Sequence, residues 1–386
     1  MKKVIKNINI VLLDKIIFGW ILFDEKIINI CEGTFDEKTL IDKNISVFEG
    51  SDCYLYPGFI DIHINGCNGI DFNDLSNSDI DNALNFLPST GVTSFLATLI
   101  TDAEKMIEEK VSSYKKYQNN SSFLGVYLEG PFISKEKKGA HNEKYIKKFD
   151  ENLINSLNKN KLIKIVAYAI ENATINNQLF LEKNNIIGAI GHSNGTFEEV
   201  TNFVKDTKIN LATHLYNAMS SFDHRKPGIV PALLYYDNFY CELITDLYHV
   251  DENILKLTYK IKGKEKIIII TDGTKGIGLN DGDYNLASLK TVKKGYAMYL
   301  KNNLQMLAGS ASPFIRNFKI AKKVFNCTLS DLVYMTSFNA AKLLKINHLK
   351  GEIKTKKEAS FLVLKKETLD IKMVFCCGKL VYKNVN

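Results

Sequence analysis

The run Lys266-Ile267-Ile268-Ile269-Ile270-Thr271, closed by Asp272 and Gly273, constrains the fold of this chain more than any other stretch. Consecutive β-branched apolar residues leave a strand no polar face, so it must be covered on both sides, as strands of parallel sheets are. The carboxylate that follows then stands at the carboxyl tip of a buried strand. Three runs upstream end the same way, in a residue able to bind a metal: Glu129 follows 123–128, His192 follows 186–191 and His214 follows 209–213. Metal ligands on several strand tips, with a lone aspartate on the last, are what a barrel-type metal-dependent hydrolase needs.

Periodicity extends the pattern. After the break Tyr56-Pro57-Gly58, eight apolar strand candidates follow one another at 59–64, 93–98, 123–128, 164–170, 187–191, 209–214, 240–245 and 266–271. Segments 79–87, 102–116, 150–158, 197–204 and 251–260 have the length and pattern of crossover helices between them. Strands alternating with helices predict an α/β chain with a (β/α)8 TIM-type barrel. A doubly wound open sheet is the competing architecture. It lacks its signature here, because Gly66-Cys67-Asn68-Gly69 fails the spacing of a dinucleotide-binding turn.

Strand-like stretches also occupy both chain ends, at 8–13 and 19–30 before a polar segment at 32–44, and at 360–364 and 371–382 after a helix pair at 313–324 and 329–344. The expected organisation is therefore a barrel over 56–350 and a small β-sandwich domain assembled from 1–55 and 351–386.

Composition narrows the function classes. The chain has 386 residues, 45% of them hydrophobic, and a formal net charge of +7. Lysines alternate with acids and form no long basic run with interleaved aromatics, which argues against nucleic acid; the modest positive excess favours a small anionic substrate. No stretch approaches the roughly 18–20 apolar residues of a membrane span, and the N-terminus has no signal-peptide core, so a soluble cytoplasmic protein is expected. Seven cysteines, none in a C-x-x-C pair, read as reduced thiols rather than a disulfide framework or a zinc ribbon.

Glu129, His192 and His214 offer one carboxylate and two imidazoles, the stoichiometry of a catalytic zinc site that keeps one position open for water. His63, in Asp61-Ile62-His63-Ile64-Asn65, ends the first barrel strand. Residues i and i+2 of a strand share a side, but Asn65 is a poor ligand. His63 is accordingly either a ligand of a second site or a hydrogen-bonding residue, and one well-filled metal site is expected. Asp272 is either the general base or a further ligand. Two segments look like anion grips: Asn217-Ala218-Met219 with the following Arg225, and Asp246-Leu247-Tyr248-His249 after the seventh strand, where barrels often bind phosphate.

These motifs resemble a known family. Tyr56-Pro57-Gly58-Phe59-Ile60-Asp61-Ile62-His63 resembles the opening strand of the amidohydrolase superfamily. Leu128-Glu129-Gly130-Pro131-Phe132, Lys138-Gly139-Ala140-His141-Asn142, Gly191-His192-Ser193, Thr213-His214-Leu215-Tyr216-Asn217-Ala218-Met219, Thr271-Asp272-Gly273 and Leu307-Ala308-Gly309-Ser310 resemble its N-acetylglucosamine-6-phosphate deacetylase branch.

The resemblance implies metal-dependent hydrolysis of N-acetyl-D-glucosamine 6-phosphate to D-glucosamine 6-phosphate and acetate. It implies one divalent ion per subunit, Zn2+ foremost, on Glu129, His192 and His214, with Asp272 as general base and then acid. His141 would hydrogen-bond the acetamido carbonyl. Ala140, Asn217, Ala218, Asp246, Leu307, Ala308 and Gly309 would line the sugar site, while Arg225 and His249 would hold the 6-phosphate across a homodimer interface. Members with two metals carry His-x-His where this chain has His63-Ile64-Asn65, so a second metal is not implied. A sister enzyme for the galacto epimer and a catalytically inactive scaffold on the same barrel are the alternatives.

Overall fold

The computed structural model describes residues 1–36, 45–74 and 79–384, so most of the polar segment at 32–44 lies outside the described residues. Along the chain, β1 (Lys3–Val11), β2 (Ile16–Phe23), β3 (Ile27–Glu32), β4 (Ser46–Glu49) and β5 (Cys53–Pro57) come first. The strand β6 (Phe59–Ile64) is followed by a small hairpin, β7 (Gly66–Cys67) and β8 (Ile70–Asp71). Then come β9 (Val92–Ile100), β10 (Phe123–Glu129), β11 (Ile163–Tyr168), β12 (Ile187–Ile190), β13 (Leu211–Ala212), β14 (Tyr240–Ile244) and β15 (Ile267–Ile270). Four further strands, β16 (Gly282–Leu286), β17 (Leu289–Lys294), β18 (Ala297–Leu300) and β19 (Asn303–Ser310), precede β20 (Phe361–Lys365), β21 (Ile371–Cys376) and β22 (Lys379–Lys383).

The expected barrel is present. Strands β6 and β9 to β15 are hydrogen-bonded in chain order into one eight-stranded sheet. A parallel bridge from Ile64 to Gly273 joins its first and last strands. The seam is held by the Asp272 N–H donating to the His63 carbonyl at 2.9 Å and the Asn65 N–H donating to the Gly273 carbonyl at 2.6 Å. Every residue of β15 is buried, as its unbroken isoleucine run requires.

Helices follow the strands, and several start on a side-chain cap. Asp150 caps the helix Glu151–Leu157, Asp251 caps Glu252–Lys262, and Thr196 with Glu199 forms a reciprocal box at the start of Phe197–Asp206. Two barrel helices lie outside the sequence expectation, Ile175–Lys183 and Ile229–Tyr235. The second carries Pro231 in its first turn, where the missing N–H costs nothing.

Among the described residues the chain divides into two compact units. One, Ile62–Ala83 with Phe95–Pro313, holds nearly all of the barrel and the antiparallel sheet β16–β19, which the sequence reading did not anticipate. The other comprises Met1–Asp61, Leu84–Ser94 and Phe314–Asn386. Its sheet runs β22-β21-β20-β5-β1-β2-β3, with β4 beside β1, so both chain ends build it. Phe23 on β2 meets Phe375 on β21 at 5.2 Å between ring centroids, although four strand steps separate them in the ladder. A flat sheet would hold them roughly 19 Å apart, so this sheet curls over its own apolar core.

Candidate active site

Four strand ends bring the polar cluster together. Glu129 is the last residue of β10, His192 follows β12 by two positions, as His214 does β13, and Asp272 follows β15 by two. His192, His214 and Asp272 have φ of 46°, 25° and 48°. A side chain in this left-handed region costs about 1–3 kcal/mol. The backbone is thus bent out of strand geometry at the residues that face the cavity. The expected strand at 209–214 is reduced to the two residues of β13, Leu211–Ala212.

Glu129 Oε1 stands 2.9 Å from His192 Nε2 and 3.0 Å from His214 Nε2, and the two nitrogens are 3.0 Å apart. His192 Nδ1 donates to the Lys137 carbonyl at 2.8 Å. That bond puts the proton on Nδ1 and leaves Nε2 as a lone pair aimed at the cluster. An oxygen and two nitrogens this close fit a shared divalent cation, and the N2O donor set with room for a further ligand suits zinc chemistry. Ligand atoms of Glu129, His141 and His192, and of His63, Glu129 and His214, also lie within 4.8 Å of one another.

His141 comes from the loop after β10. Its Nδ1 accepts the Thr101 N–H at 3.3 Å and lies 2.9 Å from the Thr101 hydroxyl, which assigns its proton to Nε2, 3.6 Å from Glu129 Oε1. Burial, helped by the neighbouring His192, pulls its pKa down to about 4. The ring is therefore neutral at pH 7 and presents one N–H to the cavity.

Asp272 Oδ1 accepts the Asn65 side-chain N–H at 2.7 Å and lies 3.6 Å from His63 Nε2. Burial raises its pKa, against the pull of His63, so this carboxylate holds a proton more readily than an exposed one. His63 is wholly buried, with Nδ1 2.9 Å from Glu242 Oε2 and Nε2 3.3 Å from Glu129 Oε2. Burial alone would lower its pKa, but the carboxylates of Glu129 and Glu242 hold it well above the usual histidine range.

A cavity of about 530 Å3 opens over the cluster. Glu129, His141, His192, His214 and Asp272 reach it, as do Ala140, Asn217, Ala218, His249, Leu307 and Gly309. The β19 segment closes one wall. Gly309 has φ 72°, and a Cβ there would sit 2.9 Å from the Asp272 carbonyl oxygen, so glycine lets the strand lie against Asp272. Asp246, expected to line the sugar site, is not among the residues lining the cavity; its Oδ2 takes His249 Nδ1 at 2.8 Å and its Oδ1 takes the N–H groups of Tyr248 and His249. Ala308 is buried against Ile100 and Leu286 and does not line the cavity. Arg225 is not brought to the cavity of its own chain: it lies in the exposed segment 221–227, with its N–H on Asp223.

The sequence model of the amidohydrolase family matches residues 54–381. The chain belongs to this family. It is 33% identical over 346 residues to the N-acetylglucosamine-6-phosphate deacetylase of Bacillus subtilis (strain 168), covering 86% of this chain and 85% of that protein. The crystal structure of N-acetylglucosamine-6-phosphate deacetylase from Thermotoga maritima superimposes with a TM-score of 0.88 at 32% identity, over 99% of this chain and 100% of that one. That of the enzyme from Pasteurella multocida gives 0.92 at 28% identity, over the whole of both chains.

Three parts of this amidohydrolase site escaped sequence reasoning. Glu242 is a lone acid inside the apolar strand Tyr240-Cys241-Glu242-Leu243-Ile244. Asn303, Gln305 and Met306 reach the cavity from β19, and nothing in their order announces it. Glu136 and Lys137 line the opposite side from the loop that carries His141.

Proposed function

We propose that the chain hydrolyses the acetamido group of N-acetyl-D-glucosamine 6-phosphate, releasing acetate and D-glucosamine 6-phosphate. The observation that carries this reading is the meeting of Glu129, His192 and His214 at 2.9–3.0 Å beside Asp272 and His141 on the floor of one cavity. Glu129, His192 and His214 would hold a divalent cation, for which we propose zinc, one per subunit. When bound, it supplies Lewis acidity, making water nucleophilic near neutral pH and drawing charge from a carbonyl oxygen.

The residues then divide the work. Asp272 accepts a proton from the attacking water as its oxygen adds to the acetamido carbon. The Nε2–H of His141 donates to the oxygen that gains negative charge in the tetrahedral intermediate. Asp272 returns the proton to the nitrogen, and the C–N bond breaks to a neutral amine and acetic acid, which loses its proton to solvent as acetate. Asn65, donating to Asp272 Oδ1, keeps that carboxylate turned to the cavity. Asn217, Ala218 and the wall of Leu307 and Gly309 would bound the sugar, with His249 toward its phosphate.

A homodimer completes the proposal. Ile254, Leu257 and Ile261 are exposed at turn spacing on the helix Glu252–Lys262, and Leu247 and Tyr248 are exposed just before it. Such a stripe is apolar surface that a second copy would cover. The Arg225 loop of one copy would then reach the His249 side of the other, as the family resemblance implies. Among the described residues no helix is long and apolar enough to cross a membrane, and we place the enzyme in the cytoplasm.

The test is acetate release from N-acetylglucosamine 6-phosphate, from the phosphate-free sugar and from the galacto epimer, with zinc and then with chelator. Chelator-sensitive turnover of the phosphorylated gluco substrate is expected; no turnover of any of the three with zinc bound would overturn the substrate. Arg225→Ala should raise KM and leave kcat, because a phosphate contact is made equally in the ground and transition states.

A further inference from the structure

Glu242 is a fully buried carboxylate in the middle of β14 that the reaction above leaves without a task. The remaining residues of β14 are apolar or aromatic, and a leucine would pack among them without the cost of a buried charge. Two donors converge on one of its oxygens instead. Oε2 accepts His63 Nδ1–H at 2.9 Å and the backbone N–H of His214 at 3.1 Å. The Tyr127 ring lies against His63, centroid to centroid at 4.5 Å, and closes its other side.

The pinned ring faces two groups of the reaction. His63 Nε2 is 3.3 Å from the Glu129 oxygen that does not touch His192 and His214, and 3.6 Å from Asp272 Oδ1. The peptide that Glu242 holds belongs to a ligand whose φ of 25° needs an external anchor. One carboxylate oxygen therefore sets both the aim of His63 and the backbone of His214.

We propose that Glu242 is a positioning residue: by accepting the Nδ1–H through Oε2 it fixes the orientation of the His63 ring, and so sets the place of Glu129 and Asp272, which Nε2 faces. The kinetic half of this proposal rests on the deacetylase reading. An amide at position 242 keeps the function, because the His214 N–H is a fixed donor and selects the amide oxygen, not its NH2, for the place of Oε2. An apolar residue of equal size does not.

Four variants measured at saturating zinc decide it: Glu242→Gln, Glu242→Leu, His63→Gln and the double Glu242→Leu/His63→Gln. Glu242→Leu should lose about 10–100-fold in kcat with KM nearly unchanged, the usual scale for a residue that orients a ligand shell. Glu242→Gln should stay close to wild type, and most of the Glu242→Leu loss should be absent on the His63→Gln background, since Glu242 acts chiefly through that ring. If Glu242→Leu lowers only the melting temperature, or if its kinetic loss multiplies with that of His63→Gln, the role is structural and the proposal falls.

Proton NMR of the wild type reads the same bond without turnover and without the leucine variant. A downfield imidazole N–H resonance that disappears in His63→Gln is expected, and its absence from the wild type overturns the proposal. An inactive wild type that retains this resonance would instead remove the deacetylase reading and leave the Glu242–His63 bond standing.

Discussion

In the unit built from the chain ends, Phe23, Phe48, Phe361 and Phe375 pack at centroid distances of 4.9–5.3 Å among Ile5, Ile21, Leu55 and Val363. At the carboxyl ends of the barrel strands, His63, Glu129, His141, His192, His214 and Asp272 are likewise buried. Side chains are largely shielded from bulk water in both regions, with opposite consequences. The first removes apolar surface from water and is stabilising throughout. The second desolvates groups that would be better solvated, holds three of them on left-handed backbone, and would need a cation to balance lone pairs 3.0 Å apart. One region supplies the stability that the other consumes, so substitutions in the two should separate stability from turnover.

The largest separation is expected at Asp272, the proposed general base. Asp272→Asn keeps the shape and the bond from Asn65 but removes the proton acceptor, so kcat should fall by about 10²–10⁴-fold or more. The melting temperature should hold or rise, because the change relieves a buried charge whose pKa burial has raised. Steady-state kinetics with differential scanning calorimetry on one preparation reads both. Near-normal turnover would take the general-base role away from Asp272.

The opposite corner is Phe375→Ala. Phe375 is fully buried, and its ring meets those of Phe23, Phe48 and Phe361. Truncation should cost about 3–5 kcal/mol of stability, read as a shift of the denaturation midpoint, while kcat of the folded protein at low temperature stays at the wild-type value. A fall in kcat matching the loss of stability would mean that the two regions are not independent.

How much was legible follows the same division. All eight barrel strands stood out because a parallel strand covered on both faces must be an uninterrupted apolar run, and their polar ends marked Glu129, His192, His214 and Asp272. The sheet of the chain ends was legible from alternation at 8–13 and 371–382. The antiparallel insertion β16–β19 was not: β17 reads Leu-Lys-Thr-Val-Lys-Lys, half solvated, with no more alternation than many loops have. The helix Ile175–Lys183 has little apolar face, although its Thr174–Asn177 capping box was there to see. Glu242 was hidden for the converse reason, since a lone acid in an apolar strand gains meaning only when His63 is known to face it. Arg225 drew notice as an arginine beside Pro227-Gly228, a signal of residue type and not of position, and it lies away from the cavity of its own chain.

The smallest effect sharpens the comparison inside the polar region, at the buried pair His249–Asp246, 2.8 Å apart. Burial disfavours both charges, yet each partner prevails over it: Asp246 holds His249 above its ordinary 6.5, and His249 with the Tyr248 and His249 N–H groups holds Asp246 below its ordinary 3.8. A raised histidine pKa means that the folded state binds the proton more tightly than the unfolded chain. That contribution is complete below 6.5 and fades as pH climbs through the folded value. A lowered aspartate pKa contributes above 3.8 and is lost as pH falls through its folded value. The pair therefore stabilises most between these limits. His249→Gln should cost more melting temperature near pH 6 than near pH 9, the gap narrowing as the wild-type ring loses its charge with rising pH. A gap that stays constant or widens toward pH 9 would mean that the ring is neutral in the fold. Its bond to Asp246 would then be an ordinary one between a carboxylate and an uncharged N–H.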